Sequence, residues 1–152
     1  MIIYLDFDGV LFDTVSIILD EIKKNNINLK DNCQYFFENL DWSYILHNAK
    51  EINNSVEIVN KLKHKYKIKI LTHVSSVNEQ TEKENFIKEK IKDIEIICIP
   101  KKYPKSSIVS SENNILIDDS KKNVKDWIDN KGEAYLYDGK RLDVIIKKLL
   151  KG

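Results

Sequence analysis

An α/β fold, with a parallel sheet of about five strands, layers of helix on its faces and a small helical insertion after the first strand, is what this sequence predicts. Three observations lead there. Short apolar runs rich in β-branched residues recur along the chain, as buried parallel strands require. Amphipathic helical stripes separate them, which is the signature of βαβ units. The alternation breaks once, between about residues 15 and 54, where helical stripes follow one another with no convincing strand.

Taken in order, the first run is residues 2–5, stopped by Asp6. Ile17, Ile18 and Ile22 then mark one helix, and Tyr35, Phe36, Phe37, Leu40, Trp42, Tyr44 and Ile45 mark one or two more. Val56, Val59, Leu62 and Tyr66 give a stripe that leads into a second strand at residues 68–71. Phe86, Ile87 and Ile91 give the next helix, before a third strand at 94–98 and a fourth at 115–117. Ser120 is placed to cap a helix carrying Val124, Trp127 and Ile128, with Gly132 to end it. A fifth strand covers residues 134–137, and Leu142, Ile145, Ile146 and Leu149 mark a last helix. The expected division is a core of residues 1–14 and 55–152 with an insertion at 15–54.

Composition narrows the function classes. Lys plus Arg number 25 and Asp plus Glu 24, so no net field draws the chain to nucleic acid or membrane. Arg141 is the only arginine, which disfavours a dedicated DNA-binding module, because base readout relies on the guanidinium fork. Cys33 and Cys98 are far apart and form no CxxC pair, so zinc and thioredoxin-type chemistry are unsupported. Two reduced, largely buried thiols are expected. The first apolar run is too short for a signal peptide or membrane span. The expected compartment is the cytoplasm.

Four features follow the strands. In a parallel α/β sheet the carboxyl ends share one edge, so groups distant in sequence can meet there. The first is Asp6-Phe7-Asp8-Gly9-Val10, two carboxylates at the end of a buried strand, whose repulsion a divalent cation would relieve. Gly9 allows a tight turn or a close backbone approach. The second is Thr72, whose hydroxyl and adjacent N–H groups can hold a phosphate oxygen. The third is the set Lys101, Lys102 and Lys105, one of which can neutralise phosphate and nucleophile. The fourth is Asp118-Asp119-Ser120, with hard oxygens suited to Mg²⁺. A calcium loop is excluded by Val10 and Ile17, where that loop needs oxygen ligands.

This order and spacing resembles the haloacid dehalogenase (HAD) superfamily of phosphatases over most of the chain. Asp6-Phe7-Asp8-Gly9-Val10 is similar to its first motif, Thr72 to its second, Lys105 to its third and Asp118-Asp119 to its fourth. The resemblance implies roles. Asp6 is the nucleophile, and Asp8 protonates the leaving oxygen and then activates water. Mg²⁺ sits among Asp6, the backbone carbonyl of Asp8, and Asp118, with Asp119 in support. Thr72 and the N–H of His73 bind phosphate oxygens, helped by the N–H groups of Phe7 and Asp8. Lys105 pairs with phosphate and Asp6. It is preferred to Lys102 because Pro104-Lys105-Ser106 opens a helical turn, where the family's lysines usually sit.

The insertion would form the family's cap over the site. Within the superfamily, residues 6–11 and 116–124, followed by Trp127 and residues 134–137, resemble the 5′(3′)-deoxyribonucleotidase group. That implies a nucleoside monophosphate substrate, with Phe36, Phe37, Trp42 and Tyr44 available to stack a base or to form the cap's own small core. Two departures, a shorter chain and a lysine loop at 99–105 that does not align cleanly, leave another small phosphorylated metabolite as the alternative. A non-catalytic binding domain would lack a nucleophile, acid or metal ligand, and Asp6, Asp8, Asp118 and Asp119 are all present.

Overall fold

The computed structural model describes residues 1–151. Its centre is β1 (Ile3–Leu5), every residue of which is buried. On one side β1 pairs with β4 (Ile68–Val74), which pairs with β5 (Glu95–Pro100). On the other it pairs with β6 (Ile115–Asp118), which pairs with β7 (Glu133–Leu136). All four pairings are parallel, and the order is β5-β4-β1-β6-β7. The chain builds outward from β1 to β5 and then returns to β6. The strand order therefore reverses between β1 and β6, and ligands of open α/β sheets bind at such a switch point.

Alternation along the strands separates two cores. Ile3, Leu5, Ile70, Ile115 and Ile117 join the larger one, with Ile58 and Val59 of α4 (Ser55–Leu62), Ile87 of α5 (Val77–Lys90), and Ile145 and Ile146 of α7 (Leu142–Lys151). Tyr4, Leu71, Ile99 and Leu116 form the smaller one around Trp127 of α6 (Lys121–Asp129). The Trp127 ring meets Tyr4 edge-on, with centroids 5.5 Å apart.

Between β1 and α4 lie three helices, α1 (Thr14–Lys24), α2 (Gln34–Glu38) and α3 (Trp42–Asn48). Asp13 caps α1 by accepting from the Ser16 N–H, and Asp41 caps α3 by accepting from the Tyr44 N–H. The sequence offered no strand here. The structure has a short ribbon, β2 (Phe12–Asp13) antiparallel to β3 (Lys50–Glu51). Two residues per strand are too few to write a periodicity.

Other differences have local causes. β4 runs on to Val74, so Thr72 lies inside the strand, where Cys98 is its partner. β5 is displaced toward Pro100. Gly132 does not end α6. Asn130 caps the helix, and Lys131 takes the left-handed turn at φ 68°. Gly132 is needed for space instead, because a Cβ there would lie 2.4 Å from the Trp127 ring. Cys33 and Cys98 are half-buried rather than largely buried. Among the described residues no helix is long and apolar enough to cross a membrane.

Candidate active site

Two strand ends bring the carboxylates together. Asp6 follows β1, and its N–H donates to the Ile117 carbonyl at 3.0 Å, which locks the end of β1 to β6. Asp118 ends β6 and has no exposed surface. Its Oδ1 accepts from the Ser120 N–H at 2.9 Å, and its Oδ2 accepts from Asn123 Nδ2 at 3.0 Å. Asp119 lies at the surface beside them. Oxygens of Asp6, Asp118 and Asp119 all fall within 4.8 Å of one another. Gly9, at φ 77°, passes so close to Asp119 that a Cβ would meet its Oδ2 at 2.1 Å. The glycine is the reason that carboxylate can reach the others.

Lys105 lies between two members of this set. It stands in a 3₁₀ turn (Lys105–Ser107) after β5 and is only 2% exposed. Its Nζ donates to Asp6 Oδ1 at 2.9 Å and to Asp118 Oδ2 at 2.7 Å. Burial raises the Asp6 carboxyl well above the usual carboxylate range; Lys105 opposes that shift, while Asp118 and Asp8 add to it. Burial disfavours the Lys105 ammonium, but Asp6 and Asp118 together outweigh it and hold the lysine above its ordinary value. Lys102 is elsewhere, exposed in the preceding loop with its Nζ 5.1 Å from the Tyr103 ring centroid.

The Asp8 side chain does not join the acidic cluster. Its Oδ1 accepts from Thr14 Oγ1 at 2.6 Å, and its Oδ2 accepts from Lys83 Nζ at 2.7 Å. That leaves its main-chain carbonyl as the group it could offer a cation. Thr72 is fully buried, and its Oγ1 accepts from Lys83 Nζ at 3.1 Å. His73 is half-buried. Its Nε2 meets the Tyr103 carbonyl at 2.8 Å, which ties the side chain to the lysine loop, and burial lowers its pKa.

Lys83, Glu79 and Thr14 are buried polar residues that sequence reasoning passed over. Glu79 and Lys83 have the i, i+4 spacing of an ordinary exposed helical pair. In a chain this rich in lysine that spacing carries no signal. Thr14 had one available cue, its place directly after the motif that holds Asp8.

The four aromatics considered for stacking separate. Trp42 is a correction. It is 2% exposed and packed into the core, with Lys83 Nζ 4.5 Å from its ring centroid, so no base can reach its face. Phe36 and Tyr44 line a hollow among α1, α2 and α3. Phe37 lines a different cleft of about 610 Å³, with Gln34 and Glu38 of α2 on one side and Val74, Ser75, Lys101 and Lys102 at the strand ends on the other. Lys101 Nζ lies 4.5 Å from the Phe37 ring centroid. His47 and His64 are exposed.

The donors of Asp6, Asp118 and Asp119 are all carboxylate oxygens, two of the residues are buried, and like charges crowd them. Such a set fits a hard divalent cation such as Mg²⁺.

No protein-family model matches the sequence, and no curated protein does. Solved structures match over nearly the whole chain. A predicted HAD-like family hydrolase from Porphyromonas gingivalis is 12% identical with a TM-score of 0.61, covering 99% of this chain and 98% of that one. A HAD-family enzyme from Bacteroides thetaiotaomicron, in complex with magnesium and inorganic phosphate, is 12% identical with a TM-score of 0.59, covering 95% and 98%. The putative HAD-hydrolase YfnB from Bacillus subtilis, bound to magnesium, is 10% identical with a TM-score of 0.58, covering 88% and 84%. The chain thus has the fold of HAD-like hydrolases. None of these three is described as a deoxyribonucleotidase.

Proposed function

We propose that this protein is a Mg²⁺-dependent phosphomonoesterase of the HAD type that works through an aspartyl-phosphate on Asp6. The observation that carries the reading is the pair of contacts from buried Lys105 to Asp6 and Asp118 across the sheet's switch point. A buried lysine between two carboxylates marks a place built to receive more negative charge, because it spares an incoming phosphate part of their repulsion.

In this reading an Asp6 oxygen attacks phosphorus, forming a P–O bond as the bond to the leaving oxygen breaks. Asp8 gives that oxygen a proton, then takes one from the water that hydrolyses the intermediate. Thr72 and main-chain N–H groups of residues 7, 8 and 73 hold the phosphate oxygens. Lys105 balances the charge on Asp6. Asp6, Asp118, Asp119 and the Asp8 carbonyl would hold Mg²⁺, which when bound neutralises charge on the phosphate and the carboxylates. The resident of the neighbour from Bacteroides thetaiotaomicron, magnesium with inorganic phosphate, is in keeping with this.

Residues 15–54 serve as the cap, and the cleft at Phe37, Lys101 and Lys102 takes the leaving group. Its volume is in the range of small-molecule sites. Phe37 with Lys101 suits a nucleoside monophosphate, the substrate that the motif resemblance favours. One observation favours a wider class of small phosphorylated metabolite: only one of the four aromatics considered for base stacking lines this cleft. The cytoplasm is the compartment we propose for this activity.

Phosphate release from nucleoside monophosphates and small phosphosugars, with Mg²⁺ and with EDTA, tests the reading. Release from deoxyribonucleotides that EDTA abolishes is the expected result. Mg²⁺-dependent release from other esters alone would keep the Asp6 chemistry and replace the substrate. Release that survives EDTA would overturn the mechanism.

A further inference from the structure

The buried ammonium of Lys83 is the largest feature of the site that the four motifs leave unused. It has no exposed surface, and its Nζ meets Glu79 Oε2 at 2.5 Å, Asp8 Oδ2 at 2.7 Å, Thr72 Oγ1 at 3.1 Å and the His73 carbonyl at 3.3 Å. An ammonium has three N–H donors, so these four acceptors use them all. Nothing remains for a substrate phosphate, and no path leads to one.

Each partner is itself held. Glu79 is buried, and its Oε1 accepts from the Ser75 N–H at 2.8 Å, so it cannot follow Lys83 elsewhere. The rings of Trp42 and Phe7 close over Nζ, with centroids 4.5 and 5.2 Å away. Thr14 fixes the other oxygen of Asp8. A lysine this deep is costly unless its charge is matched, and two carboxylates match it. Glu79 alone would suffice as a local helical partner. The second contact, to Asp8, links the helix α5 to the motif residue.

We propose that Lys83, anchored by Glu79, is a positioning residue for Asp8: it fixes the carboxyl orientation that proton transfer to the leaving oxygen needs. The proposal rests on the phosphatase reading above. In that reaction the proton moves from Asp8 to the leaving oxygen as the P–O bond breaks, and Lys83 neither gains nor loses one.

The test compares two esters. 2,4-Dinitrophenyl phosphate releases a phenolate stable without a proton, whereas an alkyl phosphate releases an oxygen that must be protonated. Loss of Lys83 should therefore affect them unequally. In Lys83→Met, kcat/KM on the alkyl ester should fall by roughly 10²-fold while that on the dinitrophenyl ester stays within about fivefold of the parent, because kcat/KM excludes hydrolysis of the intermediate that both esters share. If Lys83→Met fails to fold by circular dichroism, Glu79→Gln carries the same test, with the ratio of the two rates expected to fall about tenfold. An equal loss of kcat/KM on both esters, with their ratio intact, would make Lys83 a structural or phosphate-binding residue and overturn the proposal. A parent enzyme that hydrolyses neither ester would overturn the phosphatase reading itself, and the proposal with it.

Discussion

Two buried lysines flank the end of β1, and each serves a different carboxylate. Lys105 reaches Asp6 and Asp118 from a turn after β5. Lys83 reaches Asp8 and Glu79 from inside α5. Both have two carboxylate partners, and both are all but closed to solvent. They differ in what lies beyond the pair. On the Lys105 side, Asp119 completes an oxygen cluster at the surface, open to a cation and a substrate. On the Lys83 side, Trp42, Phe7 and Thr72 close the pocket. The difference teaches that similar ion pairs can suit different work: on the proposed reading, one keeps a charged site ready for a charged ligand, and the other holds a single side chain still.

The largest effect should come from the Asp6 side. On the phosphatase reading Asp6→Asn removes the nucleophile, because an amide cannot form the acyl phosphate, and steady-state turnover of any ester should vanish. Activity close to the parent would break the comparison at its root. Next, Lys105→Ala leaves Asp6 and Asp118 facing each other unbalanced, and kcat should fall by about 10² or more on alkyl and aryl esters alike. That equal loss is the opposite of the pattern expected for Lys83. Lys102→Ala leaves the contacts of Lys105 to Asp6 and Asp118 intact, so kcat should stay within about a factor of two of the parent while KM rises with the loss of an ammonium from the cleft. If instead Lys102→Ala is the more damaging, the lysine roles are exchanged. Gly9→Ala should act on folding and metal binding rather than on the chemical step. A left-handed backbone and the nearness of Asp119 make it strained, at a cost of about 1–3 kcal/mol. Thermal unfolding should show that loss, and titration should show a higher Mg²⁺ requirement. The ratio between alkyl and dinitrophenyl esters should not move, since Asp8 is untouched.

The lysine that was legible stood at a strand end. Lys105 follows a β-run and a proline and opens a helical turn, and those local signals are enough to place it at the sheet edge. Lys83 sits seven positions into α5, a helix with a weak apolar stripe. Its surroundings read as a solvated face, and only the packing of α3 against α5 buries it. The same holds for Trp42. Its aromatic character marked it for substrate or core, and the choice fell to core because α3 lies against α5 and brings the ring to Lys83 Nζ. The closure of α6 shows the converse. Ser120 was readable as its cap, and its Oγ accepts from the Asn123 N–H at 3.2 Å, since capping depends on neighbours three residues apart.

By itself the sequence determined the alternation of strands and helices, the break in it after β1, and the carboxylates that close β1 and β6. These are local matters, written in runs, caps and spacing within a few residues. Tertiary structure alone decided that Thr14 and Lys83 hold the Asp8 side chain, that Glu79 stands behind Lys83, and that Phe37 faces the cleft while Trp42 does not. Those outcomes depend on how helices from separate segments pack over the sheet edge. Burial and the pairing of charges, which are properties of that packing, are not written at any one position of the chain.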